Sequence, residues 1–98
     1  MNIRKEKQDT VLTVYIEGML NALTAPELEK ILQESAAEAE ELVLDLEKLE
    51  YISSAGLRVL ITAQKKMDRL GSIRLVHVCP GVKEVFDITG LSRVFVIE

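Results

Sequence analysis

Tyr51-Ile52-Ser53-Ser54-Ala55-Gly56-Leu57 is the point where an apolar strand runs out into small residues and a helical repeat begins. Upstream, Leu42-Val43-Leu44-Asp45-Leu46 is a short, nearly continuous apolar run, the pattern of a strand covered on both faces. Downstream, Leu57, Leu60, Ile61, Gln64 and Met67 recur at helical spacing. A hydroxyl at the start of a helix is first of all a cap, since serine oxygen accepts a bond from an otherwise unpaired backbone N–H. The same terminus gathers free N–H groups and a partial positive charge, so it also suits a phosphoryl group carried on Ser54. Ser53 reads as the more ordinary strand-end or capping residue.

Working outward, Asn2 to Gln8 is polar with one apolar residue, and Asp9-Thr10 offers turn chemistry before Val11-Leu12-Thr13-Val14-Tyr15-Ile16. This predicts a hairpin with a weak first edge strand and a second strand ending at Gly18. Thr24-Ala25-Pro26-Glu27 has the spacing of a capping box with proline in the first turn. Leu28, Ile31, Leu32, Ser35 and Ala39 mark the inner face of a first helix ending near Glu40, and Glu27, Glu34 and Glu38 its solvated side. A third strand over Leu42–Leu46 passes through Glu47-Lys48-Leu49-Glu50 to the serine junction. Helix two runs from Ser54 to Leu70, with Gly71 as its stop. Ile73–Val78 is a fourth strand, with His77 half exposed on the face opposite Leu75. Pro80 opens a third helix, with Val82, Val85 and Phe86 inward and Gly90 at its end, and Val94–Ile97 closes the sheet. The expected fold is therefore α/β, a mixed parallel and antiparallel sheet of about five strands with three main helices packed on it. Leu44, Leu57, Ile61, Leu75, Val85 and Phe86 are the expected core.

A chain of 98 residues allows one domain with a single modest core, and no linker, repeat or low-complexity segment divides it. A hydrophobic fraction of 48% supports a folded globule, and 29% charged residues support solubility. A net charge of -4 argues against direct nucleic-acid binding, which needs clustered lysine and arginine. No apolar run approaches the roughly 20 residues of a membrane span, and the start of the chain lacks a signal-peptide core, so a cytoplasmic location is expected. Cys79 is the only cysteine, which leaves no internal disulfide or cysteine metal cluster; it reads as a small core residue beside Pro80. On helix two, Arg58, Thr62, Lys65 and Arg69 form a mostly basic outer stripe suited to steering an acidic partner. Lys65 and Arg69 equally fit a plain solvated face, whereas Arg58 lies one turn from Ser54.

Four ordered pieces carry a family resemblance: Gly18-Met19-Leu20-Asn21-Ala22-Leu23-Thr24-Ala25, Val43-Leu44-Asp45-Leu46, Ser54-Ala55-Gly56-Leu57, and Val82-Lys83-Glu84-Val85-Phe86-Asp87-Ile88-Thr89-Gly90-Leu91. Together they resemble the STAS domain of bacterial anti-sigma factor antagonists, over essentially the whole chain, 1–98. The resemblance implies a partner switch. The unphosphorylated protein would bind an anti-sigma factor that is also a serine kinase, and so release a sigma factor. Phosphorylation of the serine two positions before the glycine, here Ser54, would end that binding, and a phosphatase of the PP2C class would restore it. It further implies a partner-binding surface of Asn21, Thr24, Ser53, Ser54, Ala55, Gly56 and Arg58, with no catalysis, no cofactor, no metal and no membrane insertion. Nothing requires a second copy, so a monomer is expected.

The chain departs from that pattern in two places. Many relatives have an aspartate where Ser53 stands, and an aspartate is common where this chain has Asn21. Both changes remove negative charge near the expected docking surface and leave Ser53 as a second candidate phosphate acceptor. Three other readings compete. A serine hydrolase needs a base and an acid around its nucleophile, and the chain offers only His77 and no Gly-x-Ser-x-Gly elbow. Nucleotide binding lacks any glycine-rich phosphate loop. The remaining alternative is a STAS docking subunit of a transport or signalling assembly, without phosphoregulation.

Overall fold

A computed structural model of the chain describes the backbone of residues 1–98 and all side chains except those of residues 68–70. The elements are β1 (Asn2–Gln8), β2 (Val11–Leu20), α1 (Ala25–Ala36), β3 (Glu41–Asp45), β4 (Leu49–Ile52), α2 (Ser54–Leu70), β5 (Ser72–Val76), α3 (Pro80–Ile88) and β6 (Val96–Ile97), with a 3-10 turn at Leu91–Arg93. Strands run in the order β1-β2-β3-β5-β6, with β4 paired to β2. Only the β1–β2 hairpin is antiparallel; the other pairs are parallel. The mixed α/β sheet with three helices is the fold read from the sequence, with one strand more than expected.

The core lies between the sheet and the helices. Leu12, Val14 and Ile16 of β2, Leu42 and Leu44 of β3, and Ile73 and Leu75 of β5 alternate onto one face and are buried. Against them pack Leu28 and Leu32 of α1, Leu57, Leu60 and Met67 of α2, and Phe86 of α3, whose ring meets Phe95 edge-on at 5.7 Å. β3 sits in mid-sheet, which explains its uninterrupted apolar run: Val43 and Asp45 are buried on the other face as well. Of the six expected core residues, Leu44, Leu57, Leu75 and Phe86 are buried, whereas Ile61 and Val85 are partly exposed and pack at its margin. In their place α2 also buries Val59 and Ala63, which line its seam with α1.

Several boundaries differ from the sequence reading, each for a local reason. β2 does not stop at Gly18. Gly18 adopts φ +103°, a conformation that costs a glycine little, and makes a bulge at which β2 changes partner. Val11–Tyr15 pair with β3, and Gly18–Leu20 pair with the unexpected strand β4. Only Leu49 and Ile52 of β4 are buried, a spacing that shows no strand alternation in so short and charged a segment. α1 ends at Ala36, four residues before Glu40, where the chain turns into β3 and the Glu40 and Glu41 amides donate to the Thr10 carbonyl at 2.9 and 3.1 Å. The expected capping box is absent, because the Thr24 hydroxyl is bonded elsewhere. α2 spans Ser54–Leu70, as expected, with Gly71 at its end.

β5 ends at Val76, so His77 is not a strand residue. It takes φ +55° beyond the strand and is exposed. Its Nδ1 lies 3.0 Å from Oδ2 of Asp45, whose Oδ1 accepts the Glu47 amide at 3.0 Å. The hydrogen bond to Asp45, then that carboxylate's charge, raises the His77 pKa above its ordinary value. Cys79 is half-buried, caps α3 by position, and points its thiol at the Leu49 carbonyl, 3.3 Å away.

Two outcomes follow. Leu57→Ala should lower the unfolding free energy by about 2–5 kcal/mol in urea titrations, through lost burial and a cavity between α2 and the sheet. The folded state holds the His77 proton more tightly than the unfolded chain. The pair's stabilising effect is thus complete below the unfolded histidine pKa of about 6.5 and is lost as pH rises through the higher folded value. His77→Gln should flatten that part of a melting-temperature profile against pH, and an unchanged profile would dismiss the pair.

Candidate functional site

β4 delivers Ser53 and Ser54 alongside the end of β2. The Ser53 amide donates to the Leu20 carbonyl at 2.9 Å, extending the β2–β4 pairing by one residue before the helix starts. Ser53 then acts as the N-cap of α2: its backbone is extended, and its hydroxyl oxygen accepts the Gly56 amide at 3.4 Å. The cap therefore belongs to Ser53 rather than to Ser54. Ser54 is the first helical residue, exposed, and its hydroxyl has no hydrogen-bond partner among the described residues.

Gly56 holds the two segments together. A Cβ at this position would fall 2.6 and 2.9 Å from Leu20 side-chain carbons and 3.0 Å from Cγ1 of Ile52. Leu20 and Ile52 are both buried, so neither has room to withdraw. The absence of a side chain at residue 56 is what lets the first turn of α2 rest on the end of β2.

Beyond Leu20 the chain is locked by a reciprocal pair. Oδ1 of Asn21 accepts the amides of Leu23 at 2.9 Å and Thr24 at 3.2 Å, and the Thr24 hydroxyl accepts the Asn21 amide and donates to the Met19 carbonyl, both at 2.9 Å. These bonds need only an acceptor oxygen on residue 21, so an aspartate would make them too. The asparagine makes them without a charge.

The structure thus brings Asn21, Thr24, Ser53, Ser54, Ala55 and Gly56 together around one junction. Arg58 is exposed one turn further along α2, and Thr62 and Lys65 are exposed beyond it. Arg69, the last member of the stripe, lies outside the described residues. A groove of about 270 Å³ runs between the helices, bounded by Ala22, Ala25 and Pro26 on the α1 side and by Ala55, Arg58 and Thr62 on α2, with Glu29 at its edge.

Three apolar side chains at this junction escaped the sequence reading. Met19 is 50% exposed, Leu23 90% and Tyr51 48%, and Met19 and Tyr51 are direct partners in the β2–β4 ladder. Strand alternation past Gly18, with Leu20 inward and Met19 outward, is the signal that would have found Met19 and, through the pairing, Tyr51; Leu23 lies in the loop beyond the strand, where no alternation applies. Among the described residues one further group of donors comes together, Asp45, Glu47 and His77, with ligand atoms within 4.8 Å of one another. Two of the three already satisfy each other as an ion pair. His77 bonds Asp45, and Ser54 bonds no described side chain, so the lone histidine forms no nucleophile–base pair with it.

With this geometry in view, a family model for the STAS domain matches residues 2–98. The chain belongs to the STAS domain family. It is 37% identical over 97 residues to BtrV of Bordetella bronchiseptica, which carries the name of an anti-sigma factor antagonist; the match covers 97% of this chain and 84% of that one. The anti-sigma-B factor antagonist of Listeria monocytogenes is 29% identical over 96 residues, covering 96% and 84%. The crystal structure of an anti-sigma factor antagonist from Mycobacterium paratuberculosis superposes with a TM-score of 0.90 at 28% identity, covering 98% of this chain and 83% of that one.

Gly56→Ala should cost about 1–3 kcal/mol in urea unfolding, because the added methyl has to displace buried Leu20 or Ile52. Full stability in that variant would show that the β2–α2 abutment is looser than described.

Proposed function

We propose that this STAS domain protein is an anti-sigma factor antagonist controlled at Ser54. Unphosphorylated, it binds an anti-sigma factor with serine kinase activity and frees a sigma factor. Phosphorylation of Ser54 ends the binding, and a PP2C-type phosphatase reverses it. The chain acts as substrate and binding module, without catalysis of its own.

The observation that carries this reading is the division of labour between the two serines. Ser53 is committed to the cap, while Ser54 presents a free hydroxyl on the exposed first turn. The segments that lead into this junction expose Met19 and Tyr51, paired across β2 and β4, and Leu23 in the loop after β2, apolar groups of the kind expected of a docking surface. Relatives named as antagonists support the class of partner.

Magnitudes favour a switch without rearrangement. A phosphoryl group adds about -1.5 to -2 charges and three acceptor oxygens where a neutral hydroxyl stood. Desolvating an uncompensated charge in a closed interface costs about 3–5 kcal/mol, and a hundredfold loss of affinity needs only about 2.7 kcal/mol. The helix terminus tolerates the same charge in the free protein, so Ser54→Asp should remain folded.

Parallel affinity capture with Ser54→Ala and Ser54→Asp baits tests the proposal. An ATPase-type kinase held by the alanine bait and lost from the aspartate bait is the expected result. Equal recovery of a transport or scaffold protein on both would replace it with the docking-subunit reading, in which this chain serves an assembly without phosphoregulation.

A further inference from the structure

Some of the described cations are held by a carboxylate or an aromatic ring, and Arg58, like several surface lysines, is not. Arg74 is bound by Glu41 at 2.6 Å and Glu98 at 2.7 Å, Lys5 meets Glu38 at 3.5 Å, Lys83 meets Asp87 at 3.2 Å, and the Arg4 guanidinium lies 4.3 Å from the Tyr15 ring centroid. Arg58 is exposed and forms no ion pair with any described residue. It follows Ser54 by four positions within one unbroken helix. Residues so spaced share a face, with Cβ atoms about 5–6 Å apart, and helical side chains lean toward the N-terminus, so a guanidinium at 58 leans toward position 54. Ser54 is uncharged and gives it nothing to hold. A phosphate on Ser54 would.

We propose that Arg58 is the internal counter-ion of phosphorylated Ser54, pairing with the phosphate along the helix face and holding it as a dianion at the centre of the docking surface. This rests on Ser54 being the modified residue. Guanidinium suits the task because its donors are planar and pair with phosphate two at a time, which a lysine ammonium does not do. Two features bear on the strength of the contact. Glu29, across the groove on α1, is the competing carboxylate, although it already accepts a hydrogen bond from Gln33 at 3.3 Å. Both members are exposed, so the pair is of surface strength and weakens with salt. Its consequence is positional: a tethered phosphate confronts a partner from one place instead of sweeping through solvent on a mobile side chain.

The test needs neither kinase nor partner. Phosphoserine is installed at position 54 by codon reassignment, and the second phosphate pKa, about 6 in an unstructured chain, is followed by 31P NMR titration. Arg58→Gln should raise that pKa by several tenths of a unit at low salt, whereas Arg58→Lys should restore only part of the difference. Lys65→Gln, nearly two turns further along, should leave it close to the parent value. The parent's advantage should shrink at 0.5 M salt. An unchanged pKa in Arg58→Gln, or an equal shift in Lys65→Gln, would overturn the pairing. Since the phosphate is placed chemically, failure of the bait experiment would overturn the partner switch and leave this result standing, and the converse also holds.

Discussion

No side chain fits between the first turn of α2 and the end of β2. Gly56 sits where any larger residue would strike buried Leu20 and Ile52, and this close approach fixes the rest of the surface. It places the serine pair beside the Asn21–Thr24 loop, which would otherwise belong to separate parts of the chain. It also depends on the change of partner within β2. The bulge at Gly18 releases the strand from β3 and hands its last residues to β4, so a single strand supports both the central sheet and the helix entry.

The arrangement separates rigidity from exposure. Backbone and short side chains are fully employed in holding the junction: Ser53 caps, Asn21 and Thr24 bond each other's backbone, and Leu20 carries the helix. What remains exposed is the Ser54 hydroxyl, the Arg58 guanidinium and the apolar side chains of Met19, Leu23 and Tyr51. In the proposed switch, charge is added to a surface whose shape is set in advance, so binding is controlled by what the surface carries rather than by refolding. Ser53 and Asn21 are uncharged, and both are committed to structural bonds at the junction.

The sheet, the three helices and the serine junction were legible because they are written in local patterns. The apolar run of Leu42–Leu46, the helical spacing after Leu57 and the prolines at 26 and 80 each specify an element without help from distant residues. β4 was not legible, since four residues with two buried at a spacing of three imitate a charged loop. Neither was the fate of Thr24, whose spacing to Glu27 fits a capping box but whose hydroxyl is taken by the Met19 carbonyl and the Asn21 amide. His77 left its strand because β5 stops at Val76, and the residue turns to meet Asp45. In the site, the motif residues could be named from order alone. The apolar exposure of Met19 and Tyr51 required knowing that β2 continues past a glycine that looks like its end.

The central claim is that Ser54, and not its capping neighbour, carries the regulatory phosphate. The most direct measurement is fragmentation mass spectrometry of the protein recovered from its source cells across growth and stress, with fragments that separate adjacent serines. The account predicts a single phosphate on Ser54 whose occupancy rises and falls with conditions. A phosphate on Ser53 with Ser54 unmodified, or no phosphate under any condition, would contradict it.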